Sequence, residues 1–291
     1  MDVLVLGGGP AGATAAIYAA RSGKAVTLVY QDSGALARAE RIENFYGFPA
    51  PISGQDLFRQ GLEQVRALGV TVKKAQILGL GFGAEGLEAE TTEGTLAAPA
   101  VVLATGAQRR RPRIPGLDDF DGAGVSYCAV CDGFFCRGKE VAVLGAGTYA
   151  LHEAGVLLPL AKRVTLLTNG EPAPGELPQG LALDTRPVAA LEGESGILSA
   201  IRFVGGEAMA VCRLFVALGT AGSGDLARKV GLLTEKGKIV VDETMSTNVP
   251  GLFAAGDCTG GLPQVATAVA QGAQAGLSAV RYLQNRSSRN S

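Results

Sequence analysis

Cys128-Ala129-Val130-Cys131 is the stretch whose residue types and spacing carry the most chemistry. Two thiols at this spacing can close into a disulfide that accepts or gives two electrons. Its exchange needs one thiolate within a partner's reach and a nearby acid or base. Asp132 follows at once and could supply the proton. Two other readings stand beside this one. Half of a zinc site would want a second pair at suitable spacing, which the sequence lacks, and the two thiols could simply be unrelated core residues. Cys136, Cys212 and Cys258 stand singly and read as core or incidental positions. His152 is the one histidine, which removes the usual Cys/His zinc sites and most Ser-His-Asp or Cys-His hydrolase schemes. No metal site is expected.

Gly7-Gly8-Gly9-Pro10-Ala11-Gly12 fits G-x-G-x-x-G directly after an apolar strand and at the opening of a helix. In that setting Gly7 permits the tight turn, Gly9 lets the backbone approach a pyrophosphate, and Gly12 lets helix and strand pack closely. Asp32 lies about 20 residues beyond Gly12, where an acid would hold a ribose hydroxyl, although the strand ends near Tyr30. A second turn, Gly145-x-Gly147-x-x-Ala150, is a variant of the same fingerprint, or else a fold element that holds no ligand. The strand after it ends in Thr168-Asn169-Gly170-Glu171, with neither an arginine for a 2′-phosphate nor an acid at the strand end for a free ribose.

These turns sit in two strand-turn-helix-strand units about 138 residues apart, an internal duplication in physical terms. The first runs from Val3 to Tyr30 and the second from Val141 to Leu167. Strand-like runs at 69–80, 87–90, 100–104, 201–203, 212–218 and 252–255 fill the intervals, and a helix is expected from Gln264 to Leu283. Asn169 to Gly180 reads as loop and Asn285 to Ser291 as a disordered tail. The expected architecture is α/β, with one domain at 1–112 and 246–291 and another at 116–243. Over 291 residues, 26 basic side chains meet 27 acidic ones, so a nucleic-acid partner has no electrostatic support. No apolar run approaches the roughly 18 residues of a membrane span. Met1 leads straight into the strand-like run from Asp2 to Leu6. The expectation is a soluble, cytoplasmic protein without a signal peptide.

Gly7 to Gly12, Ile42-Glu43-Asn44 leading to Gly47-Phe48-Pro49, Ala104-Thr105-Gly106-Ala107, Cys128 to Phe135, and Phe253-Ala254-Ala255-Gly256-Asp257 stand in one order along nearly the whole chain. In these segments the sequence resembles the low-molecular-weight thioredoxin reductases. The resemblance implies two Rossmann-like domains, the second inserted in the first, in a homodimer. It implies FAD along the first domain, its pyrophosphate at Gly7, Gly9 and Gly12, with Asn44, Thr105 and Gly106 lining the site. Gly256 and Asp257 would serve the ribityl-phosphate end, and the helix opening near Gln264 would point at the flavin ring. It further implies Cys131 as the flavin-facing thiol, Cys128 as the exchanging thiol, Asp132 as proton donor, and a thioredoxin-like protein or other dithiol or disulfide as partner.

The departures from the family gather where NADPH would bind. Thr168, Asn169 and Gly170 stand in place of the family's His-Arg-Arg run, and each charge-assisted bond so lost is worth about 1.5–3 kcal/mol. Glu171 to Pro178 cannot form the long helix expected there, and Thr220 to Gly224 lacks the family's Pro-Asn. In the first domain a Gly-Gly-Gln motif near Gly34 is missing, and Pro263 replaces an arginine. NADPH is therefore not expected as a cofactor. The pattern resembles the nucleotide-independent offshoots, either ferredoxin-linked or with a second FAD. For a second FAD, Gly145 and Gly147 offer a diphosphate turn and Tyr149 a ring to stack, the alternative being a tyrosine packed in a core. Arg109-Arg110-Arg111-Pro112-Arg113 could dock acidic ferredoxin or be a solvated linker. The competing functions are an ordinary NAD(P)H-dependent thioredoxin reductase and a non-catalytic flavin/disulfide redox sensor.

Overall fold

Val3-Leu4-Val5-Leu6 is buried at every position, as a strand covered on both faces must be. In the computed structural model, which describes residues 1–84, 86–107 and 112–289, such runs build two parallel sheets. The Arg109–Arg111 cluster lies outside the described residues.

The first part of the chain forms β1 (Val3–Leu6), α1 (Pro10–Arg21), β2 (Val26–Tyr30), α2 (Gly54–Ala67), β3 (Thr71–Lys74), β4 (Ile77–Gly83), β5 (Gly86–Thr91), β6 (Gly94–Ala98) and β7 (Ala100–Leu103). Then come β8 (Val125–Ser126), α3 (Ala129–Asp132), β9 (Glu140–Leu144), α4 (Thr148–Leu157), β10 (Arg163–Leu167), β11 (Leu181–Asp184), β12 (Val188–Glu194), β13 (Ile197–Phe203), β14 (Ala208–Ala210) and β15 (Arg213–Val216). The chain ends with α5 (Ser223–Lys229), β16 (Thr234–Glu235), β17 (Lys238–Ile239), β18 (Leu252–Ala254) and α6 (Val265–Arg289).

Two compact units result, one of residues 1–109 and 222–291 and the other of 110–221. The first carries a parallel sheet in the order β18-β7-β1-β2-β3 and an antiparallel meander β4-β5-β6. The second carries a parallel sheet in the order β11-β10-β9-β15-β8 and the antiparallel sheet β12-β13-β14. Each is Rossmann-like, and the second interrupts the first. By compactness the chain returns to the first unit at 221–222. The cause is α5, which packs on β4 of the first unit, with Lys229 Nζ donating to Leu78 O at 3.3 Å.

In the first unit α6 lies against α1 because both present small residues. A Cβ at Gly272 would sit 2.2 Å from Ala11 O, so only glycine allows the two backbones to approach so closely. Around this seam Ala11, Ala15, Ala275 and Ala279 join the apolar core under the sheet. The second unit has its own core, with Leu144, Ile201, Phe203 and Leu214 almost wholly covered. The sequence expectation of a disordered tail from Asn285 is corrected here. Helix α6 runs on to Arg289, with Ser287 and Ser288 hydroxyls bonded back to Leu283 and Gln284 carbonyls. No glycine or proline interrupts 285–289, and extending a formed helix costs little.

Candidate functional site

In the second unit Cys128 and Cys131 are joined by a disulfide. Cys128 caps the single turn α3, and its Sγ accepts a hydrogen bond from the Cys131 amide at 3.1 Å. Cys128 is 2 % exposed, whereas Cys131 lies at the surface. Val130, Phe134 and Phe135 around it are exposed too, forming an apolar apron beside the reachable sulfur.

Three groups that sequence reasoning missed hold this turn. Ser126 Oγ donates to Asp132 Oδ2 at 2.6 Å and accepts from the Cys128 amide at 3.2 Å. Arg213 Nη1 stands 3.5 Å from the same carboxylate oxygen. Glu153, buried on α4, accepts from the Ala129 amide at 2.7 Å. The proton donor expected at Asp132 is thus fixed to the backbone of the cysteine turn through one hydroxyl. A further surprise concerns the cysteines read as solitary. Cys136 and Cys212 come near enough for their side chains to interact. Cys258 is fully buried, donates to Ala255 O at 3.2 Å, and is pushed by burial up to about 12.

In the first unit the glycine turn takes the form its sequence predicts. Gly7 has φ +119, and a Cβ there would lie 2.1 Å from Ala104 O; one on Gly12 would lie 1.9 Å from Gly7 O. Gly9 caps α1 without any side-chain bond, and a Cβ built on it meets nothing within 4 Å. The turn lies at the carboxyl ends of β1 and β7, where the strand order reverses and dinucleotides bind in such sheets. Thr105 and Gly256 converge on the same place: Thr105 N is 3.1 Å from the Cβ position of Gly7, and Ala11 Cβ is 2.9 Å from that of Gly256. Thr105 Oγ1 is buried without a hydrogen-bond partner among the described residues. Open space before a helix of this length and an orphaned hydroxyl beside it fit a dinucleotide pyrophosphate.

Gly106 follows Thr105 with φ +76. Asn44 Nδ2 donates to Gln264 Oε1 at 2.9 Å, joining two predicted lining residues, and Gln264 O accepts from Ala268 N at the start of α6. Asp257 O accepts from Lys238 Nζ at 2.6 Å. Asp32 is exposed beyond the end of β2, and its Oδ1 accepts from the Gly34 amide at 2.8 Å.

The second glycine turn repeats this construction. Gly145 would place a Cβ 2.3 Å from Ala217 O and 2.8 Å from Ala150 Cβ, while Gly147 has room. Tyr149 is 1 % exposed, so its ring is covered rather than offered for stacking. Beyond β10, Asn169 adopts φ +52 and its Oδ1 accepts from Val188 N at 2.7 Å; Thr168 Oγ1 donates to Glu171 O at 2.6 Å. Residues 168–180 contain no helix.

A glycine turn of the dinucleotide-binding form in one α/β unit and a CxxC disulfide in the other are the parts a flavin disulfide oxidoreductase needs. Residues 1–272 match the pyridine nucleotide-disulphide oxidoreductase family model. The thioredoxin reductase of Aquifex aeolicus is 33 % identical over 97 % of this chain and 93 % of its own, and that of Bacillus subtilis is 31 % identical over 97 % and 95 %. Among solved structures, the atypical thioredoxin reductase TRi from Desulfovibrio vulgaris Hildenborough matches with a TM-score of 0.92 and 38 % identity, covering 98 % of both chains. A ferredoxin-flavin thioredoxin reductase from Clostridium acetobutylicum matches with a TM-score of 0.74 and 30 % identity, again over 98 % of each. The chain belongs to the pyridine nucleotide-disulphide oxidoreductases, among the thioredoxin reductase-like flavoproteins, and is a flavin disulfide oxidoreductase. FAD is the cofactor this family implies. Among the described residues, no helix is long and apolar enough to cross a membrane.

Proposed function

We propose that this enzyme passes two electrons between FAD at the Gly7–Gly12 turn and the Cys128–Cys131 disulfide without using NADPH. The observation that carries the reading is the end of β10, where Thr168 and Asn169 are spent on loop hydrogen bonds and no arginine stands between 168 and 180. A 2′-phosphate there would lose two charge-assisted clamps, each worth about 1.5–3 kcal/mol. Bound FAD would supply the two-electron carrier. Opening the disulfide takes up two electrons and two protons, yielding two thiols. The Cys131 amide stabilises sulfur at Cys128, and Asp132, held by Ser126, moves a proton at the turn. The apolar apron of Val130, Phe134 and Phe135 suits a thioredoxin-like protein partner. Likeness to a ferredoxin-flavin reductase supports a protein electron donor of that kind. Homodimeric assembly and a cytoplasmic setting are part of the same proposal.

Anaerobic stopped-flow reduction tests the reading: micromolar NADPH or NADH should leave the flavin oxidised on the timescale of turnover, while reduced ferredoxin bleaches it. Rapid bleaching by NADPH would restore the ordinary reductase, and failure of any dithiol or disulfide protein to turn over would favour a redox sensor.

A second reading, FAD at the Gly145 turn as well, is favoured by the close fit of Gly145, Ala150 and Ala217. The covered ring of Tyr149 weighs against it. Released flavin would then approach two per chain, falling to one in Gly147→Asp; a ratio of one in the parent protein removes this reading.

A further inference from the structure

Cys136 and Cys212 lie 76 positions apart in sequence, yet the fold seats them side by side. Cys136 ends the 3-10 turn Gly133–Cys136 that follows the redox disulfide, and its Sγ lies 3.7 Å from Asp132 O. The chain then enters β9 at Glu140. Cys212 immediately precedes β15, which pairs with β9, and its amide donates to Glu140 O at 2.9 Å. With Lys139 N bonded back to Cys136 O at 3.0 Å, strand register brings the two cysteines near each other, within reach of a side-chain interaction. Cys136 is fully buried and Cys212 partly exposed, so one sulfur is reachable and the other waits behind it. Both belong to the cluster around Asp132, because Arg213, the neighbour of Cys212, faces that carboxylate.

We propose that Cys136 and Cys212 form a second oxidisable dithiol, separate from the Cys128–Cys131 couple, whose oxidant is a small peroxide. Cys212 attacks one peroxide oxygen, the O–O bond breaks, and the sulfur becomes a sulfenic acid as one water leaves. The Cys136 sulfur then displaces the sulfenic oxygen, which departs with the Cys136 proton as a second water, and an S–S bond closes. Two thiols are oxidised and one peroxide is reduced to two waters. Burial first, and then the neighbouring Cys212, push the Cys136 thiol up to about 11, which suits the resolving rather than the attacking role. The proposal does not depend on the electron donor or on the flavin count.

The test uses the full-length flavin-loaded protein with Cys128 and Cys131 both replaced by serine, which leaves three thiols. After reduction, desalting and exposure to micromolar hydrogen peroxide, the thiols are blocked in denaturant and the peptides mapped by mass spectrometry. The expected result is a Cys136–Cys212 cross-linked peptide, with titratable thiols falling from three to one and Cys258 unmodified. In Cys136→Ser, dimedone should trap Cys212 as the sulfenic acid; in Cys212→Ser, Cys136 should remain a thiol. The wild-type protein should give the same peptide, beside the Cys128–Cys131 one. Cys212 passing to sulfinic acid with no cross-link, or both cysteines surviving as thiols, overturns the proposal.

Discussion

Ser126 Oγ sits between the Asp132 carboxylate, to which it donates at 2.6 Å, and the Cys128 amide, from which it accepts at 3.2 Å. One hydroxyl thereby orients the acid relative to the redox turn. Asp132→Asn should slow reduction of a protein disulfide by about 10²-fold, in the range general-acid groups contribute. Ser126→Ala should slow it by about tenfold, corresponding to loss of one bond to a charged group, and Ser126→Thr should recover most of the rate. Steady-state turnover of the three variants, with FAD content checked to be unchanged, measures this. A Ser126→Ala enzyme as fast as the parent would remove the orienting role.

The unequal exposure of the two sulfurs gives a second expectation. In the dithiol form, iodoacetamide at neutral pH should label exposed Cys131 before Cys128, which is 2 % exposed. Peptide mapping over the first minutes of reaction reads the order. Labelling of Cys128 first would mean that the partner-facing role carried over from the family is reached by a rearrangement that uncovers it.

At the Gly7–Gly12 turn, two glycines should behave differently. Gly12→Ala forces a Cβ to 1.9 Å from Gly7 O and should lower both the melting temperature and FAD retention. Gly9→Ala meets nothing within 4 Å and has backbone angles open to alanine, so its apoprotein should melt within a degree or two of the parent. Its methyl group would nevertheless stand where a pyrophosphate approaches, and FAD affinity should fall at least tenfold. Fluorescence titration of both apoproteins decides it, and undiminished FAD binding by Gly9→Ala would argue against that placement.

Acid sensitivity should centre on Asp184. Its carboxylate accepts from Arg186 Nη2 at 2.6 Å, Arg186 Nε at 3.0 Å and the Arg186 amide at 3.0 Å. Arg186 in turn lies 4.1 Å over the ring of buried Phe203. The side-chain bonds to Arg186 first, and then its amide and charge, hold the Asp184 carboxyl below the usual carboxylate range, against some desolvation. Folding therefore favours the ionised form. The stabilisation is complete above the unfolded pKa of about 3.9 and is lost as pH falls through the lowered folded value. Asp184→Asn should cost about 1–2 kcal/mol at pH 7, and less once the parent carboxylate protonates. Urea melts at pH 7 and pH 3 give the comparison, and a difference that grows toward acid would contradict it.

Much of the chemistry is local and was readable from the chain alone. Gly7, Gly9 and Gly12 must bend and approach as they do wherever a strand feeds a helix at that spacing, and C-x-x-C brings its own sulfurs together. A run such as Glu171 to Pro178 excludes helix by composition. The absence of any arginine from Thr168 to Gly170 is likewise visible residue by residue. What tertiary structure decided are the contacts made across long intervals. Arg213 with Asp132, Glu153 with Ala129, Asn44 with Gln264, and Cys136 with Cys212 have no periodic signature. They arise because parallel strands such as β9 and β15 fix the register of distant segments, and sequence spacing does not report which strands pair. Helix α5 likewise joins the first unit through packing on β4 rather than through any break in the chain's composition.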